Sequence, residues 1–126
     1  MIKLTKTIRE DLILIIGESA IDLFDYFQVE ELHGLSKEKC FNRIDEGGTY
    51  IDGMCNIIPG TENSPAYYLF INHKAISKSS VRNFGLIFHE TSHYSFIKYW
   101  ETLQEDEENL ITESEDLAIE IYNLIF

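Results

Sequence analysis

The chain has 126 residues, 44% of them hydrophobic and 13% aromatic, enough apolar side chain to fill the core of one domain spanning residues 1–126. Twenty-two acidic residues against ten basic give a formal net charge of -12, a field that repels phosphate backbones and anionic lipid and so argues against nucleic-acid and membrane partners. Cys40 and Cys55 are too few for a disulfide framework and fit a reducing compartment.

From Thr7 to Val29, the apolar residues Ile8, Leu12, Ile15, Ile16, Leu23 and Phe27 recur at helical spacing, with acidic residues between them. Thr7 followed three residues later by Glu10 matches a capping box, so this stretch predicts one long N-terminal helix, with a break at Gly17 allowed. Its apolar run, Leu12 to Ile16, is too short to span a bilayer and follows Arg9-Glu10-Asp11, the wrong flank for a signal peptide; a cytoplasmic protein is expected.

Residues His33 to Gly48 are polar and glycine-bearing, which predicts irregular chain or a short helix. Thr49 to Ile58 and Ala66 to Asn72 are rich in β-formers and are separated by the turn-forming Pro59–Pro65 segment, so two antiparallel strands are expected, with a third left open. Ser77 to Ser80 offers helix caps, and from Val81 to about Leu103 only Gly85 disfavours a helix. Glu105 to Glu108 reads as a solvated loop. A last helix is expected from about Thr112, burying Leu117, Ala118, Ile121, Tyr122, Leu124 and Ile125. The order gives an α+β layout.

The second long helix contains His89-Glu90-Thr91-Ser92-His93. Two histidines four residues apart project from one helix face, so both imidazoles can meet one zinc ion. Glu90 beside them can accept a proton from a metal-bound water and return it to a leaving amine. The bland alternative is a pair of core or surface histidines in a chance match. Trp100 falls on the His89–His93–Phe96 stripe and is expected to pack in the core.

A catalytic zinc needs a third protein ligand and an open position. Phe96 and Tyr99 stand where a metzincin has Gly and His, which excludes that form. The last helix offers Glu113, Glu115, Asp116 and Glu120. Glu115 has Ile111, Ala118 and Ile119 one turn away and Tyr122 two turns on, an apolar setting, whereas Glu113 has Asn109, Asp116, Leu117 and Glu120 around it; both stay open as ligands. A capping box from Thr112 to Glu115 is the structural alternative for the latter.

An HExxH helix, an acidic loop and a helix beginning Glu113-Ser-Glu-Asp-Leu-Ala118 resembles the minimal gluzincins, the ImmA/IrrE-like zinc metallopeptidases, over about residues 50–126. The resemblance implies a zincin-like fold: N-terminal helix, small antiparallel sheet, metal helix and C-terminal ligand helix. It also implies a zinc site of His89, His93 and Glu115, and endopeptidase chemistry on a protein or peptide substrate with Glu90 as general base. Two positions depart from the pattern: Ser95 stands where an apolar residue is usual, and Ile119 where an Asp supporting a zinc-bound His is often found. A weakly active or inactive zincin-like interaction module is the alternative function. Tyr94, Tyr99, Tyr122 and His73 are the candidate hydrogen-bond donors to an oxyanion.

Overall fold

The computed structural model describes residues 1–40, 51–99 and 107–126, which form two compact units, Met1–Ala75 and Ile76–Phe126. The start of the expected Thr49 strand, Trp100, the end of the expected metal helix and the first half of the acidic loop lie outside the described residues. Among the described residues no helix is long and apolar enough to cross a membrane.

The first unit is built on a mixed four-stranded sheet, which corrects the expected long N-terminal helix and the purely antiparallel sheet. Strands β1 (Ile2–Arg9) and β2 (Leu12–Gly17) form a hairpin around Glu10-Asp11, and only Ile21–Phe27 is helical, as α1. Two further strands, β5 (Gly53–Ile57) and β6 (Tyr67–Asn72), complete the order β1-β2-β6-β5, with β2 and β6 parallel and the outer pairs antiparallel. In the chain between α1 and β5, a separate small hairpin pairs β3 (Glu31–Leu32) with β4 (Leu35–Ser36). Its two-residue turn places His33 and Gly34 at φ 48° and 82°, the positive pair that a type I′ turn demands.

Composition explains which strand sits where. Edge strand β1 carries Lys3, Lys6 and Arg9 and is largely exposed, as edges that resist aggregation are. Central strands β2 and β6 are apolar at nearly every position because both of their faces are buried. One of these faces, with Ile15, Tyr68 and Phe70, packs against Leu23 and Phe24 of α1 and against Leu32 and Cys40. Cys40 and Cys55 are both buried.

Gly17, the last residue of β2, sits where a side chain would fit tightly. A Cβ at this position would meet the Asp22 carboxylate at 3.0 Å and the Phe70 ring at 3.2 Å. The same carboxylate accepts hydrogen bonds from the Glu18 and Ser19 amides, at 2.9 and 3.2 Å, and so fixes the strand-to-helix turn. Gly17→Ala should destabilise the protein by about 1–3 kcal/mol, the usual effect of overpacking, as read by urea denaturation. An unchanged midpoint would show that Asp22 yields freely.

The second unit is a helix pair. Ser79 caps α2 (Ser80–Lys98), its hydroxyl accepting from the Arg82 amide at 3.3 Å. The buried Asn83 amide ties down the approach to the helix through both backbone groups of Ser77. Helix α3 runs Glu107–Ile125, beginning five residues before the expected Thr112 and absorbing part of the expected loop. Its buried residues are Leu110, Ser114, Leu117, Ala118 and Ile121. Leu124, expected in the core, is exposed, while Tyr122 and Ile125 are half-buried. Small residues line the helix contact. Ser114 Oγ lies 2.8 Å from Ser95 Oγ, and the Thr91 hydroxyl reaches the Ser114 carbonyl at 3.2 Å.

Candidate metal centre

An uninterrupted helix across residues 80–98 brings His89, Glu90 and His93 together, as their spacing predicts. Among the described residues they form a group of potential metal ligands whose donor atoms lie within 4.8 Å of one another. The two Nε2 atoms are 3.1 Å apart, with the rings at 83° to each other. Two nitrogens at that separation can share a zinc ion at ordinary bond lengths of roughly 2.05 Å with an N–Zn–N angle of about 100°, close to tetrahedral. The donor set therefore fits the metal.

The three side chains differ sharply in environment. His89 is 67% exposed, whereas the Glu90 side chain is 5% exposed. Glu90 Oε1 lies 3.8 Å from His89 Nε2, beyond hydrogen-bonding distance, and its buried Oε2 has no hydrogen-bond partner among the described residues. Burial without compensation disfavours the charged form, and it pushes the Glu90 carboxyl up to about 7. Burial, and then the neighbouring His89, hold the His93 imidazole below its usual range, which favours the neutral form that binds metal. A buried carboxylate oxygen without a hydrogen-bond partner among the described residues thus lies beside two convergent imidazoles that could hold a metal ion.

The carboxylates of α3 stand apart from this group. Helix α2 meets α3 through Thr91 and Ser95, while His89 and His93 face solvent on another side of α2. Ser114, between Glu113 and Glu115, fills the packed face. The apolar setting inferred for Glu115 is not seen: Glu115, Ile111 and Ile119 are all exposed, because the buried stripe of α3 runs through residues 110, 114, 117, 118 and 121 instead. Glu113 is half-buried and hydrogen-bonded to Tyr99; both line a cleft of about 190 Å³ with Asn109 and Leu110. Neither glutamate belongs to the group of His89, Glu90 and His93.

The tyrosines proposed as oxyanion donors have other contacts. Tyr94 is fully buried and its hydroxyl accepts from Lys98 Nζ at 2.9 Å. Tyr122 packs between Phe84 and Phe126. Sequence spacing missed the burial of Glu90 itself, which depends on packing around the helix rather than on the motif.

No family model, curated protein sequence or solved structure matches this chain, so the likeness to the gluzincins rests on the His89–Glu90–His93 motif and its helix.

Proposed function

We propose that the chain is a zinc-dependent peptidase in which His89 and His93 hold the metal and Glu90 is the general base. The observation that carries this reading is the convergence of the two Nε2 atoms at 3.1 Å beside a buried carboxylate oxygen without a partner. Zinc held by His89 and His93 would supply a Lewis acid for peptide hydrolysis. Glu90 takes the proton of the attacking water and passes it to the departing amine. Burial raises this carboxyl in the metal-free chain, and a cation beside it would favour the ionised form that accepts the proton.

A third ligand completes the proposal. Glu115, the carboxylate that the resemblance implies, is exposed on α3, whereas Glu113 is engaged by Tyr99. Glu115 joins the histidines only if the metal-loaded chain turns the exposed face of α3 toward them. Glu115→Ala should then weaken zinc retention by at least about tenfold and Glu113→Ala should not. The reverse would move the ligand.

The test of function is direct. Zinc-loaded wild type is incubated with unstructured casein peptides and cleavage is read by mass spectrometry, beside Glu90→Gln. The variant should keep its zinc and lose cleavage by at least about a hundredfold, the usual weight of a general base. Purified wild type holding less than about 0.1 zinc per chain would remove the metal, and cleavage by Glu90→Gln at the wild-type rate would remove the mechanism. A second reading, a zinc-binding module without turnover, is favoured by one observation: Ile119, in place of a supporting carboxylate, is 50% exposed. Zinc retention with no cleavage by wild type selects it.

A further inference from the structure

From Arg82 onward the exposed residues of α2 are Arg82, Gly85, His89, His93 and Phe96. They follow one another at spacings of three or four and so form a single stripe along the helix, with the histidine pair near its centre. The stripe carries no carboxylate, although acidic residues outnumber basic ones by 22 to 10 in the chain. One turn beyond His93 it presents Phe96, 46% exposed.

Gly85 is the unexplained member. Glycine inside a helix is less favourable than alanine by roughly 1 kcal/mol, so an interior glycine needs a reason. Gly17 has one in the close approach of Asp22 and Phe70, and Gly34 and Gly60 have one in φ values of 82° and 88°. Gly85 has neither: its φ is not positive, and an added Cβ meets no described atom within 4 Å. Nothing in the described chain needs the space that the missing side chain leaves one turn before His89.

Resting on the peptidase reading above, we propose that this stripe is the substrate path: an extended peptide backbone crosses α2 closely at Gly85, and a large apolar side chain beside the scissile bond rests on Phe96. The dimensions agree. Eleven residues of helix separate Gly85 from Phe96, about 16 Å, which is the span of about five extended residues. Phe96 lies only about 4.5 Å along the axis from His93, so the side chain it meets belongs to a residue adjoining the reaction centre. The substrate class is therefore an unstructured segment with a large apolar or aromatic residue at the cleaved bond, selected by contact rather than by charge.

Calorimetric titration of the zinc-loaded protein with three probes tests this: acetohydroxamate, acetyl-Ala-Ala-Phe hydroxamate and acetyl-Ala-Ala-Gly hydroxamate. Wild type should bind the Phe peptide about tenfold more tightly than the Gly peptide, as burial of one aromatic ring allows. Phe96→Ala should shrink that preference to less than about threefold. Gly85→Ala should weaken both peptides at least about fivefold and leave acetohydroxamate unchanged, while raising the melting temperature by a few degrees. Leu124→Ala, which trims a 37% exposed apolar side chain on α3, is the control and should change none of these values.

Acetohydroxamate separates the two levels of the proposal. If it binds and the peptide preferences ignore Gly85 and Phe96, the substrate path is wrong while the metal centre stands. If it fails to bind zinc-loaded wild type, the metal has no open position, so the peptidase reading falls and the path falls with it.

Discussion

Replacing Glu90 by Gln should make the metal-free protein more stable at pH 8 by on the order of 3 kcal/mol, and should leave stability at pH 4 almost unchanged. The reason is the raised carboxyl, about 7 in the folded chain against an ordinary value of 4.5. Below pH 4.5 the group is protonated in both folded and unfolded chains, and its burial as a neutral acid has no pH-dependent penalty. Between 4.5 and 7 the unfolded chain releases the proton and the folded chain keeps it. Folded protein then binds more protons than unfolded, so stability falls as pH rises, by about 1.4 kcal/mol per pH unit. Above 7 the full penalty is present. A neutral amide of the same shape does not titrate, so the difference between the two proteins isolates Glu90 from every other carboxylate in this acidic chain. Urea denaturation in chelator at pH 4, 6 and 8 measures it. A gap that is the same at all three values would mean that Glu90 is not buried in the free protein.

How far the sequence reveals this arrangement varies from element to element. The His89–His93 pair is legible because four-residue spacing on a helix determines which side chains share a face. Strands β5 and β6 are legible because Pro59–Pro65 separates two β-rich runs. The N-terminal strands are not, for a physical reason. A strand buried on both faces is apolar at every position, and a continuous run such as Leu12–Ile16 contains the helical period as readily as any other. The lysines of β1 and the Glu10-Asp11 turn are the local marks of a hairpin there, and they compete with an equally good capping box. The β3–β4 hairpin has a subtler mark in His33-Gly34, since histidine tolerates positive φ less often than Asn or Asp.

Helix α3 shows a different limit. Its exposed residues include the apolar Ile111, Ile119 and Leu124, while the polar Ser114 is buried. Ser114 is favoured there because Thr91 and Ser95 offer hydroxyls across the contact, and a pairing between two helices cannot be read from either alone. That substitution of a serine for an apolar contact is what turns Glu115 outward. The motif thus predicts the paired histidines, whereas the place of Glu115 depends on how α3 is rolled against α2.

Zinc should stabilise wild type by about 3–4 kcal/mol when present at a few hundred to a thousand times its dissociation constant, and it should do almost nothing for His93→Ala. The gain should also grow from pH 5 to pH 8. Both imidazoles must be neutral to bind, and His93 is already inclined that way by burial and by His89. A cation beside Glu90 further favours its ionised form and relieves the penalty that the metal-free chain carries above neutrality. Glu90→Gln has no such penalty to relieve, so zinc should stabilise it less than wild type at pH 8 although its two histidines are intact. The three proteins therefore separate two contributions that wild type alone confounds: His93→Ala lacks the binding, and Glu90→Gln lacks only the electrostatic relief. Thermal denaturation with and without zinc at pH 5 and 8 reads both. Equal zinc stabilisation of all three proteins would place the ion on other carboxylates and remove His89, Glu90 and His93 from the centre.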